Sequence, residues 1–185
     1  KKKFKLTSGK ESPVYCDCRR IISFPDERKK LIELGIDKLK KKINFEKISN
    51  VSGGETAGIP FASLLADYSN LPMTYIRKEK KKFGRNAQIE GIINKEDNVL
   101  LVEDLMTDGR SKINFLEAID STGAKIIGIF VIFNYGILND FYTFKDKKVD
   151  IICLTSWKFV LNVALKKKIL NQNEVISIQK FLSEM

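Results

Sequence analysis

The apolar residues of this chain fall into two rhythms. Ile48–Val51, Met73–Ile76, Val99–Val102 and Val149–Leu154 are short apolar-rich runs, and Lys125–Phe133 is a longer one interrupted at Gly128. Continuous rather than alternating runs mark strands covered on both faces, as in a parallel sheet. Between them the spacing turns helical. Ile32, Ile36, Leu39 and Ile43 repeat at that spacing after Pro25, which suits a first helical position. Asp26 and Glu27 complement the positive end of this helix, and lysines near Lys42 its negative end. Further helices are predicted over Phe61–Tyr68, Ser111–Ser121 (closed by Gly123), Ser156–Lys168 and Asn173–Glu184. Strands alternating with helices predict an α/β fold, a mostly parallel doubly wound sheet flanked by helices. Ahead of it, residues 7–20 (TSGKESPVYCDCRR) predict a loop and a short extended segment.

Length adds that one domain suffices. At 185 residues and 43% hydrophobic, the chain can bury a sizeable core. Within that domain, residues 1–45 form an N-terminal segment, 46–170 the core sheet and 171–185 a C-terminal helix. The longest apolar run, Ile126–Phe133, is too short to cross a bilayer, and no secretory leader of the usual form is visible, so a cytoplasmic protein is expected. The chain opens on Lys1 rather than Met, which suggests native residues before it.

Chemistry is narrowed by what is missing. With no histidine, the commonest general base and every Ser/His or Cys/His nucleophile arrangement are excluded. Cys16, Cys18 and Cys153 are odd in number and contain no CxxC pair, which favours reduced thiols over a zinc site. Any catalysis has to use acids, lysines, a metal or positioning. The net charge of +10, from 33 basic and 23 acidic residues, suits an anionic ligand, nucleic acid or a membrane surface equally. Most lysines fall on predicted helix surfaces, where they are solvated.

The stretch around which the chain is organised is VLLVEDLMTDGRS, Val99 to Ser111. An apolar strand runs into Glu103 and Asp104, consecutive and therefore on opposite sides, at the sheet edge where α/β proteins bind ligands. Such acids can hold sugar hydroxyls or hydrated magnesium. Thr107, Asp108, Gly109, Arg110 and Ser111 then offer backbone N–H groups, hydroxyls and a guanidinium before a helix N-terminus, a cradle for phosphate. Acids for a ribose beside donors for a phosphate describe a phosphoribosyl group, whereas a solvated acid pair and an ordinary turn would be the plainer reading. A second loop, Ser52–Pro60, is glycine-rich but lacks Lys-Ser/Thr after Gly58, which excludes a Walker-type nucleotide loop. In RKEKKKFGRNAQIEG, Arg77 to Gly91, six of the nine residues from Arg77 to Arg85 are basic. Its length without apolar periodicity points to a functional loop, with a plain charge run as the alternative.

VLLVEDLMTDGRS resembles the phosphoribosyl pyrophosphate (PRPP) signature of the type I phosphoribosyltransferases. Three further stretches, SGKESPVYCDCR, GGETAGIPFA and MTYIRKEKKKFGRNAQIEG, resemble the orotate phosphoribosyltransferases in that family's order. The resemblance implies the type I phosphoribosyltransferase fold with a small N-terminal hood for the base, and transfer of the phosphoribosyl group from PRPP to orotate with magnesium as cofactor. It implies that Glu103 and Asp104 take the ribose hydroxyls and that Thr107, Asp108, Gly109, Arg110 and Ser111 take the 5′-phosphate. Ser52 to Gly58, with Gly53, Gly54, Glu55 and Thr56, becomes the pyrophosphate loop. Arg77, Lys78, Lys81 and Arg85 fall at or near pyrophosphate positions, with Lys81 in a lid shared between the subunits of a homodimer. Lys81, Glu103 and Asp104 form the implied catalytic set. Tyr15, Arg19 and Thr107 border orotate, and magnesium is held mainly through PRPP rather than by the protein. Thr7, Phe83 and Tyr135 depart from the family pattern where it commonly carries lysine, histidine and arginine. Two rivals share the motif: a transferase for another base, and a PRPP-sensing regulator that binds nucleic acid.

Overall fold

The computed structural model describes residues 4–5, 11–80, 88–107, 112–136 and 141–184. Strands β1 (Phe4–Lys5) and β2 (Glu11–Ser12) pair antiparallel ahead of a 3-10 turn over Cys18–Ser23. There follow α1 (Pro25–Lys42), β3 (Asn50–Gly54), α2 (Gly58–Ser69), β4 (Met73–Ile76), β5 (Ile89–Glu90), β6 (Asn98–Met106) and α3 (Ile113–Asp120). The chain continues through β7 (Lys125–Asn134), β8 (Phe141–Phe144), β9 (Lys147–Ser156), α4 (Trp157–Lys166) and α5 (Gln172–Ser183).

Helix α1 has Pro25 in its first turn, Asp26 and Glu27 at the positive end and Lys40, Lys41 and Lys42 at the negative end, so its boundaries follow from local electrostatics. Helix α5 starts in a reciprocal cap. The Asn171 side chain accepts from Glu174 N at 3.0 Å, while Asn171 N donates to Glu174 Oε2 at 2.9 Å.

Seven strands make one sheet in the order β5-β4-β3-β6-β7-β9-β8. The inner strands β4, β3, β6, β7 and β9 are mutually parallel, and β5 and β8 close the edges antiparallel. Successive side chains of a strand point to opposite faces. On β6, Leu100 and Val102 therefore enter one buried cluster with Ile32 and Leu39 of α1, Phe61 and Leu65 of α2, Leu161 of α4 and Ile178 of α5. Val99 and Leu101 enter a second cluster with Phe115, Leu116 and Ile119 of α3. Both faces of the central strands are thus covered, which is why their sequences lack alternation.

Several boundaries shift from expectation: β3 covers Asn50–Gly54 rather than Ile48–Val51, α2 starts at Gly58 rather than Phe61, and β9 covers Lys147–Ser156 rather than Val149–Leu154. β6 does not stop at Val102 but runs on to Met106, paired with β7 through Glu103↔Val131, Leu105↔Phe133 and Met106↔Asn134. The two acids therefore lie within the strand rather than after it. β8 was not expected, because it returns to β9 through Lys145 and Asp146, which adopt positive φ of 46° and 62° without the glycine that signals such a turn. β1, β2 and β5, at two residues each, carry too little pattern to be read from sequence.

Candidate active site

The sheet's order reverses between β3 and β6. From β3 the chain passes through α2 to β4 on one side, and from β6 through α3 to β7 on the other. The β3–β6 ladder ends at Gly53↔Val102, while β6 stays paired with β7 to Met106. Beyond Val102, then, β6 has parted from β3 and a crevice opens at the carboxyl ends of the strands. Doubly wound sheets bind ligands at such a switch point. Here it is a cleft of about 470 Å³ lined by Arg19, Glu55, Thr56, Ala57, Lys78, Glu79, Glu103, Asp104, Lys112, Asn114 and Phe115. A larger groove of about 960 Å³ runs along α1 from Asp26 to Lys42 against Leu154 and Thr155, away from the switch point.

Strand alternation sends the two acids to different surroundings. Glu103 follows Val99 and Leu101 onto the α3 face, where it is 3% exposed. Its Oε2 accepts from Lys112 Nζ at 2.8 Å, and its Oε1 is buried without a hydrogen-bond partner. Burial pushes the Glu103 carboxyl above the usual carboxylate range, and Asp104 adds to the rise; the charge and hydrogen bond of Lys112 oppose it. Asp104, on the opposite side, is only half-buried and lies within electrostatic reach of Arg19, Cys16 and Cys18.

Gly54 is required by this arrangement. A Cβ there would collide with Glu103 Oε1 and come within 2.7 Å of the Phe115 ring. Gly58 meets the same demand across the crevice, since its missing Cβ would strike the carbonyl oxygen of Val102. Between them the Glu55–Thr56 peptide is cis, Glu55 N donates to Ile76 O at 2.8 Å, and Glu55 Oε2 accepts from Lys78 N at 2.8 Å. The loop after β3 is thereby tied to the end of β4.

Of the residues singled out from sequence, Arg19, Glu55, Thr56, Lys78, Glu103 and Asp104 converge on this one cleft. Gly53 and Gly54 form the buried end of β3 beneath it. Tyr15 is not a wall residue: it stacks on Phe4 with ring centroids 5.8 Å apart and accepts from Arg19 Nη2 at 2.9 Å. Arg77 also stands aside, its guanidinium 3.9 Å from Glu90 at the antiparallel edge. Thr107 ends its described segment outside the lining, and Lys81, Phe83, Arg85, Asp108, Gly109, Arg110, Ser111 and Thr7 lie outside the described residues. Tyr135 is buried edge-on against Phe133 and Trp157, centroids 5.8 and 5.7 Å away, and its hydroxyl faces the backbone of Cys16.

Lys112 was missed among so many lysines. The available signal was electrostatic. Lys112 caps the N-terminus of α3, the positive end of a helix, where a cation is disfavoured unless a carboxylate waits nearby.

The chain matches the family model described as "Phosphoribosyl transferase domain" over residues 27–167. It is 44% identical to the orotate phosphoribosyltransferase of Roseobacter denitrificans over 97% of this chain and 80% of that protein. It is 42% identical to the orotate phosphoribosyltransferase of Rhizobium johnstonii over 97% of this chain and 78% of that protein. Among solved structures, the orotate phosphoribosyltransferase of Aeropyrum pernix superposes with a TM-score of 0.73 at 27% identity, covering 87% of this chain and 89% of that one.

Proposed function

Starting from the membership of this chain in the phosphoribosyltransferase family, among its orotate phosphoribosyltransferases, we propose that the switch-point cleft transfers the phosphoribosyl group of PRPP to orotate. The products are orotidine 5′-monophosphate and pyrophosphate, a step of pyrimidine nucleotide synthesis. The observation that carries this reading is the meeting in one crevice of an acid pair, the Glu55–Thr56 loop, Lys78 and Arg19.

Asp104 faces the cleft and takes the ribose hydroxyls, while Glu103 forms the floor behind it, ion-paired to Lys112. The backbone of the Glu55–Thr56 loop and the Lys78 ammonium receive the pyrophosphate, joined by Lys81 from the segment beyond β4. Residues 107–111 hold the 5′-phosphate. On the other wall Arg19, with Tyr15 hydrogen-bonded to it, meets the orotate carboxylate.

The hard oxygen donors of Asp104, and the unpartnered Oε1 of Glu103 behind it, suit magnesium. Magnesium held there together with PRPP would supply positive charge against the departing pyrophosphate. The bond from C1′ to the pyrophosphate oxygen breaks as N1 of orotate forms its bond from the opposite face. The N1 proton goes to water or the departing pyrophosphate. No histidine is needed, because the rate comes from positioning and from cations placed where negative charge accumulates.

We infer further that the enzyme is a homodimer in which the lid carrying Lys81 reaches the neighbouring subunit's cleft, and that it works in the cytoplasm. No helix of the described residues is long and apolar enough to cross a membrane. The test is the fall in orotate absorbance when protein, PRPP, orotate and magnesium are mixed, with orotidylate confirmed as product. Loss that requires magnesium is expected, and Asp104→Asn should slow it roughly 100-fold or more. No turnover by folded protein, or wild-type rates in Asp104→Asn, would overturn the assignment.

A further inference from the structure

One feature at the cleft's rim takes no part in this chemistry. Cys16 and Cys18 place their sulfur atoms 3.5 Å apart on the segment that carries Tyr15 and Arg19. Both are free thiols. They differ in access: Cys18, at the head of the 3-10 turn, is 3% exposed, whereas Cys16 is half-buried and reachable. The segment is held from several sides. Arg19 bonds Asp17 at 3.1 Å and Tyr15 at 2.9 Å, and Tyr135 lies against the Cys16 backbone from below.

We propose that Cys16 and Cys18 form a dithiol modification site that exchanges with small disulfides of the glutathione class and closes into a Cys16–Cys18 disulfide, altering how the cleft accepts orotate. Cys16 is the attacking sulfur. Its contact with Cys18 favours the Cys16 thiolate and holds the Cys16 pKa below the usual thiol range, while the same contact and burial push Cys18 upward. The Cys16 thiolate attacks one sulfur of the small disulfide, whose S–S bond breaks and releases one thiolate. Cys18 then attacks Cys16 sulfur in the mixed disulfide, expelling the second small thiolate, which takes up the Cys18 proton. The protein loses two thiol hydrogens and two electrons, and the small disulfide is reduced to two thiols.

Closure shortens the sulfur separation from 3.5 Å to about 2 Å. Asp17, caught inside the ring, must turn, and with it the Arg19 guanidinium that it holds at 3.1 Å. The kinetic part rests on the proposed orotate site, whereas the covalent part does not.

The full chain is therefore incubated with oxidised glutathione and read in two ways. By intact mass and peptide mapping, wild type is expected to lose about 2 Da and to yield a Cys16–Cys18 cross-link, with Cys153 still alkylatable. Cys18→Ala should instead trap a stable glutathione adduct on Cys16. By kinetics, the oxidised protein should show a several-fold higher KM for orotate at unchanged KM for PRPP, restored by dithiothreitol and absent in Cys16→Ser, whose basal rate matches wild type. Reaction at Cys153 alone, or a persistent adduct on wild-type Cys16 without closure, would overturn the dithiol site. A cross-link that leaves the orotate KM unmoved would overturn its effect on the cleft. If the protein proves not to use orotate, the mass readout still decides the covalent step.

Discussion

Replacing Lys112 by methionine tests the electrostatic foundation of the cleft directly. Methionine roughly preserves the chain's length and packing but removes the one charge that, among the described residues, pairs with Glu103 at hydrogen-bond distance. The two side chains are 9% and 4% exposed, so water cannot take over the solvation of the abandoned carboxylate. Removing one partner of a buried ion pair costs about 3–5 kcal/mol. For a chain of this length each kcal/mol moves Tm by about 2–4 °C, so the variant should melt roughly 6–20 °C lower. Glu103 has an escape, which is to take up a proton. Burial already raises its pKa in the folded state above the unfolded value, and loss of Lys112 removes the main opposing influence. Stability gained through that proton is fully present below the ordinary carboxylate pKa and is lost as pH rises through the folded value. The deficit of Lys112→Met should therefore be smallest in acid and deepen toward neutral and alkaline pH. Adding Glu103→Gln should recover much of it, because a neutral amide needs no counter-charge. Thermal melts of the two single variants and the double variant at several pH values close the cycle. A Lys112→Met deficit within about 0.5 kcal/mol of zero, or one unaffected by pH and by Glu103→Gln, would refute the ion-pair account.

Arg19→Ala should raise the orotate KM about tenfold or more, the loss expected for a charge-assisted hydrogen bond, while the KM for PRPP stays near wild type; an equal rise in both would remove Arg19 from base recognition. Lys81→Ala and Asp104→Asn should each be nearly inactive alone yet regain part of the activity when their subunits are mixed and re-dimerised, since one composite cleft of each mixed dimer would be intact. Mixing that restores nothing, with exchange of subunits verified by mass, would argue that each cleft is built from a single chain.

The fold was legible because its core strands are buried on both faces. Val99–Val102 and Ile129–Ile132 are continuous apolar runs for that reason, and α1 was marked by Pro25, Asp26 and the lysines at its end. The acid pair was legible because two carboxylates directly after four apolar residues are chemically expensive to leave there. What escaped depended on geometry that sequence order does not encode. Lys112 looks like any other lysine until α3 is docked against β6, and Tyr135 fills a place under the N-terminal segment only because β7 runs on to Asn134. The proximity of Cys16 and Cys18, two residues apart, depends on the local conformation of the chain before the 3-10 turn, which carries no sequence signature.

The unequal treatment of Glu103 and Asp104 bears on how such a cleft can work without histidine. Two neighbouring carboxylates aimed into one space would repel each other, and one would hold a proton. The strand lessens this by alternation, leaving only a small push of Asp104 on Glu103. Glu103 is turned toward α3, where Lys112 satisfies one oxygen, and Asp104 is turned toward the N-terminal segment. The buried pair in turn fixes Lys112, the residue ahead of α3, to Glu103 within β6, so the ion pair that backs the cleft also sets where α3 begins. A change at Lys112 should accordingly be felt in the proposed PRPP contacts, the ribose hydroxyls through Asp104, next to Glu103 on the same strand, and the 5′-phosphate through the residues just ahead of Lys112, rather than at the base. Lys112 is in this sense a positioning residue: at low pH, where the variant stays folded, Lys112→Met should raise the KM for PRPP while leaving that for orotate near wild type, a split that a general loss of stability would not produce.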